Sequence, residues 1–188
     1  MAMTMNRDNL WEVSSRTIVY AAIGAALYAI AAQLSFLLPG PGSVSIRPGF
    51  ALVPFFGFAF GPLVGLFVGL VGNALADQIS GWGLLTSWNW SLAVGVVGFL
   101  AGLTPMYLSS WMNDKRKVLL AAAVGSVIAT VVGLLIVFTD IVLGTAEGFN
   151  EALTANYAPA VISDVIVVAI LVPILVAIWE PVKEQLGR

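Results

Sequence analysis

GPLVGLFVGLVGNALADQI, residues 61–79, is the stretch on which the fold turns. Every fourth residue from its start gives Gly61, Gly65, Gly69, Asn73 and Asp77: three glycines, an amide and a carboxylate in one row. Residues four apart are neighbours on one helix face. The intervening residues are mostly Leu, Val, Phe and Ala, the composition of a membrane helix. Lipid offers no hydrophobic drive for helices to associate, so small residues act there by letting backbones approach closely. The glycines are expected to draw this helix into a bundle. Its polar end is then expected to point at an interior space and not at lipid.

The whole chain supports that reading. It has 188 residues, 60% hydrophobic and 10% charged, with eight basic and ten acidic side chains and a net charge of −2. A soluble domain is about 25% charged, so the chain reads as an all-α integral membrane protein of one domain. The negative balance argues against a nucleic-acid partner. There is no cysteine and no histidine, which removes disulfides, thiolate metal sites and the commonest general base. No GxxxxGK[ST] or G-x-S-x-G element is present, so neither an ATPase nor that type of hydrolase is expected. No catalytic residue, metal or cofactor is expected. No inverted repeat of the self-sufficient transporter kind is evident.

A bilayer crossing takes roughly 20 apolar residues. Runs of that kind are Thr17–Leu38, Leu63–Ile79, Asn89–Leu108, Val118–Phe138 and Tyr157–Trp179, with a shorter one at Phe50–Phe60. Six transmembrane helices are expected, the second short or irregular, or five if 50–60 is re-entrant. The opening MAMTMNRDNLWEVSSR lacks the arrangement of a cleaved signal, so the first run is expected to be a retained helix. The organisation is then a cytoplasmic segment 1–16, a six-helix domain 17–182 and a cytoplasmic tail 183–188. With the N-terminus inside, Arg7, Arg16, Lys115, Arg116, Lys117, Lys183 and Arg188 are cytoplasmic and only Arg47 is outside, as the positive-inside rule requires.

That orientation gathers the polar residues in the outer half. Asn73 and Asp77 end the third helix. Trp82, Trp88, Asn89 and Trp90 lie in SGWGLLTSWNW, residues 80–90. Asn156 and Tyr157 open the last helix, Asp164 lies about two turns into it, and Arg47 precedes the short second helix. Carboxylates in a span cost about 2.5–3.5 kcal/mol on insertion scales, so they face protein or water. An outward-facing pocket is expected, walled by aromatics, with amides and carboxylates at its base. Indole faces suit a flat heteroaromatic ring or a cation. The competing reading makes the tryptophans interfacial belt residues and Arg47 an anchor. Asp140, Glu147 and Glu151 read as solvated loop charges. In the first helix Ala21, Ala25 and Ala29 form one small-residue row and Ala22 and Ala26 another. Two rows exceed what one neighbour needs, which suggests a docking face for another membrane protein.

The alanine-rich AAIGAALYA, the stretch SIRPGFALVPFFGFAFGPLVGLFVGLVGNALAD and the tryptophan-rich SGWGLLTSWNW together resemble the S components of energy-coupling factor (ECF) transporters, in the riboflavin-type branch. The likeness covers nearly all of residues 15–182. It implies a multi-pass protein of a prokaryotic cell membrane that binds a vitamin-like nutrient from outside. It also implies partners: a membrane coupling subunit, onto which helix 1 docks through small residues, and two cytoplasmic ATPases. Toppling of the S component in the membrane goes with that scheme. Either alanine row fits the family's AxxxA docking motif. Riboflavin is the first candidate by branch. Two acids against one arginine would suit an amine or a pyrimidine, which keeps thiamine precursors, pyridoxine-type vitamins and deazapurines open. A stand-alone channel or uniporter is the alternative function, and an acid–base enzyme using Asp77 and Asp164 a more distant one.

Overall fold

The computed structural model describes Trp11, residues 13–37 and residues 45–185. Arg7, Arg188, Leu38, the start of the N-terminal segment, the end of the tail and residues 39–44 of the first loop lie outside the described residues.

The chain is helical nearly throughout. Helix α1 (Ser15–Ala31) leads to a small antiparallel ladder of β1 (Phe36–Leu37) and β2 (Ser45–Ile46), with Phe36 opposite Ile46. A 3-10 turn, Pro48–Ala51, runs into α2 (Leu52–Phe60), and α3 (Pro62–Ile79) and α4 (Trp88–Tyr107) follow. Helix α5 (Lys115–Gly133) continues through a 3-10 segment, Leu134–Thr139, into α6 (Asp140–Leu143). The short α7 (Phe149–Glu151) passes through a π-helical segment, Ala152–Tyr157, into α8 (Ala158–Gln185).

Among the described residues four helices are long and apolar enough to cross a membrane: Pro62–Ile79, Trp88–Tyr107, Lys115–Leu143 and Phe149–Lys183. Ser15–Ala31 and Pro48–Phe60 are shorter. The all-α membrane fold is as expected, and the first crossing is not as long as expected. Helix α1 stops at Ala31 because Gln33 reaches back and donates its amide to the Ala29 carbonyl at 2.9 Å and the Ala76 carbonyl at 3.3 Å. That side chain supplies the donors a helix C-terminus lacks, and the chain turns into the ladder. The later helices are longer than expected. Thr139 donates to the Ile136 carbonyl at 2.7 Å, which carries the fifth helix into α6. The last helix starts at Phe149 and not at Tyr157, since the π segment absorbs ALTANY, residues 152–157, without a break.

Close backbone approach sets the packing. Gly61 has φ 105°, in the region that favours glycine. It splits α2 from α3 and folds them into an antiparallel pair against α4. Gly61 is therefore the corner of the pair and not part of the helical stripe. Gly65 and Gly98 face each other so tightly that a Cβ on either would strike the other's carbonyl oxygen. At Gly69 a Cβ would stand 2.6 Å from the Val94 carbonyl carbon. Helix α3 also lies along α1, and α5 packs between α4 and α8. At the corner end, Phe60 stacks on Tyr20 (4.5 Å) and meets Phe56 (5.2 Å) and Trp179 (5.0 Å). The polar residues gather at the opposite end, beside the tryptophan loop.

Candidate functional site

Two buried polar networks occupy that end. The first is built on α3. A Cβ at Gly72 would lie 2.8 Å from Tyr28 Cδ1, so only glycine lets α1 close in. Tyr28 then donates its hydroxyl to Asn73 Oδ1 at 3.1 Å. The Asn73 amide donates to Asp77 Oδ2 and to Ser91 Oγ, both at 3.2 Å. The Asn73–Asp77 bond shows that the two polar members of the opening row share a face. Arg47 enters from the side. It sits between β2 and the Pro48–Ala51 turn, and these press against α8 and α1. A Cβ at Gly49 would lie 2.8 Å from Ala31 Cβ, so the turn needs that glycine to seat. So held, the Arg47 guanidinium lies near the Tyr28 hydroxyl and within electrostatic reach of both Asp77 and Asp164. Asp164 comes from α8, is 8% exposed, and makes no hydrogen bond among the described residues. Five chain segments thus bring Tyr28, Arg47, Asn73, Asp77, Ser91 and Asp164 together.

The second network centres on Asp140, which is 4% exposed. Asn89 donates its amide to Asp140 Oδ1 at 2.7 Å and to Thr139 Oγ1 at 3.0 Å. Trp90 Nε1 donates to Asp140 Oδ2 at 3.2 Å, and Asn156 Nδ2 to the same oxygen at 2.9 Å. Asn156 lies in the π segment, a feature that re-aims side chains within a helix. The carboxylate is thus fully engaged, tying α4, α6 and the start of the last helix. The expectation of a solvated Asp140 is overturned: the apolar segment before it does not end at the surface but carries it inward. Glu147 and Glu151 do lie exposed, joined by a 2.6 Å bond from the Glu147 N–H to Glu151 Oε2.

The remaining candidates disperse. Trp82 is 59% exposed and Trp88 48% exposed, and neither joins a network. Trp88 and Ser91 line an apolar groove of about 400 Å³ with Leu70, Val71, Ala74, Leu75, Leu84 and Leu85. A second groove, about 530 Å³, runs from Ile46 along Thr154, Ala158, Pro159, Ile162, Ser163 and Ile166. Tyr157 is half-buried, donates to the Val131 carbonyl at 2.8 Å and meets the Phe138 ring at 5.2 Å. On α1, Ala21, Ala25 and Ala29 are buried inside the chain, while Ala22 and Ala26 are exposed. The buried row serves packing against the chain's own helices, so of the two rows only Ala22–Ala26 is open to a partner. Sequence reasoning missed Tyr28, Ser91 and Thr139 and misread Asp140 as solvated. The available signals were a phenol midway along an alanine-rich helix and an acid directly after an uninterrupted apolar run. Among the described residues no group of three or more carboxylate, histidine or cysteine side chains could hold a metal ion.

Fold and site together define a helical membrane protein with polar side chains from five segments converging between its helices. A family model described as ECF-type riboflavin transporter, S component, matches residues 12–180, and the chain belongs to that family. The family is one of substrate-binding transport subunits and not of enzymes. Similar curated proteins are UPF0397 proteins. One from Aliivibrio fischeri strain MJ11 is 35% identical over 113 residues, 58% of this chain and 61% of that protein. Another, from Vibrio atlanticus strain LGP32, is 40% identical over 93 residues, 50% of each chain. A third, from Aliivibrio salmonicida strain LFI1238, is 37% identical over 95 residues, 50% of this chain and 51% of that protein. The chain thus spans between half and about three fifths of the length of the curated relatives it matches. No solved structure matches it.

Proposed function

We propose that the chain is the substrate-binding subunit of an ECF importer, taking a vitamin or related heteroaromatic micronutrient from outside the cell. The observation that carries this reading is the polar cluster around Arg47, Asn73, Asp77 and Asp164 inside a chain of the S-component family. Six spans with cytoplasmic termini put this cluster in the outer half, since Lys115, Arg116 and Lys117 lie at the far end of α4 and α5. The ligand enters past Arg47, and Trp88, whose groove shares Ser91 with the cluster, offers a ring face nearby, while Trp90 stays bound to Asp140. Trp82 and Tyr157 stand at the margin. Delivery requires docking onto a coupling subunit with two ATPases. The docking surface is the exposed Ala22–Ala26 row, flanked by the exposed Ile18, Val19, Ile23 and Ile30. Small residues at that spacing allow close helix contact in lipid. Riboflavin is the first candidate substrate by family. Thiamine precursors, pyridoxine-type vitamins and deazapurines follow.

The test is quenching of tryptophan fluorescence in the purified chain across a panel of these compounds, followed by uptake in cells with a coupling module. Ala26→Trp is expected to abolish uptake and leave affinity intact. Silence across the whole panel, or flux through liposomes holding this chain alone, would overturn the reading, the latter in favour of a channel.

A further inference from the structure

We infer that the Arg47–Asp77–Asp164 cluster selects a ligand carrying positive charge or a cluster of N–H donors, of the protonated-amine or aminopyrimidine class, over a neutral flavin. The inference rests on the chain being a substrate-binding subunit, and it narrows the substrate class of that site.

The argument is one of unfilled acceptors. A carboxylate offers about four lone-pair sites, and burying an ionised one without donors is costly. Asp140 meets this demand with three side-chain N–H donors at 2.7–3.2 Å. Asp77 has one side-chain donor, Asn73, at 3.2 Å. Asp164 is more than nine-tenths buried and has none among the described residues. Arg47 is the cation in electrostatic reach of both, so two carboxylates face one guanidinium. The Asn73 amide is already spent on Asp77 and Ser91, and Tyr28 directs its proton at Asn73. The protein's own donors therefore turn toward each other and leave carboxylate oxygens for the occupant. A ligand with two or three N–H groups, or one positive charge, fills what is open. A flavin ring is neutral and has a single N–H donor among its carbonyl and ring-nitrogen acceptors, so it matches two buried acids less well than a cation or a cluster of N–H groups does.

The experiment titrates the full chain in lipid nanodiscs with thiamine, its aminopyrimidine precursor, pyridoxamine and riboflavin. One of the first three is expected to bind at least tenfold tighter than riboflavin. Asp77→Asn and Asp164→Asn are each expected to weaken that ligand about tenfold or more. Arg47→Gln removes the cation that competes for the two acids and is expected to tighten that ligand at least threefold, a sign that general damage to the fold would not produce; weaker binding in this variant counts against the charge assignment. Tightest binding by riboflavin, or indifference of the best ligand to both aspartate variants, overturns the charge assignment and leaves the transport reading standing. No binding by any of the four overturns the charge assignment, and silence across the wider panel removes the transport reading as well.

Discussion

The two polar networks sit a few residues apart on α4, yet they are opposite in kind. Around Asp140 every strong side-chain donor has found the acid, and the carboxylate is closed off by Asn89, Trp90 and Asn156. Around Arg47, Asp77 and Asp164 the same residue types are left open: among the described residues Asp164 has no side-chain donor and Asp77 a single one. A saturated buried network rigidifies and specifies a structure, and an unsaturated one is costly unless something completes it. The difference separates scaffold from site more sharply than burial does, since all three acids are buried.

Four substitutions sharpen that contrast. The largest effect is expected from Asp140→Ala, which strands three N–H donors. At about 1–3 kcal/mol for each unsatisfied group, eased by relaxation, the loss is about 3 kcal/mol or more. A fall in the thermal unfolding midpoint in detergent checks it, and an unchanged midpoint would make the second network dispensable. Asn73→Ala comes next. It frees Tyr28, Asp77 and Ser91 at once, and about 2 kcal/mol of stability is expected to go, together with ligand affinity. Asp164→Leu should behave in the opposite sense. Removing a buried acid that lacks a hydrogen-bond donor holds the midpoint or raises it by about 1 kcal/mol, while binding is lost. Should it unfold the protein as Asp140→Ala does, the two acids would be equivalent and the contrast void. The smallest effect belongs to Trp82→Ala, exposed and outside both networks. A change within about 0.5 kcal/mol is expected, with affinity moving less than threefold.

Much of the fold was legible because the bilayer restricts the options to apolar runs of a given length. The Asn73–Asp77 face followed from helical spacing alone and is realised as a hydrogen bond. Helix ends were less legible, because side chains from elsewhere set them. Gln33 stops α1 by reaching the last turn of α3, a contact that no local pattern announces. The site was half legible for the same reason. Polarity within a span marked Asn73, Asp77, Asn89, Asn156 and Asp164 as interior. It could not tell which acid each amide would meet, so Asn89, Trp90 and Asn156, expected at the ligand, hold Asp140 instead. The alanine rows are the clearest case. They are equal as sequence, and only the third dimension buries Ala21, Ala25 and Ala29 and leaves Ala22 and Ala26 bare.

The glycine contact between α3 and α4 bears on how a cargo could leave. Where Gly65 and Gly98 meet, main chain rests on main chain with no side chain between to change rotamer. Such a junction has no slack for shear: sliding one helix along the other would drive carbonyl into carbonyl. The floor that carries Asn73, Asp77 and Ser91 must therefore travel as one solid piece. On the proposed transport function, release falls to the parts outside that contact, the Arg47 turn and α8, or to reorientation of the entire subunit.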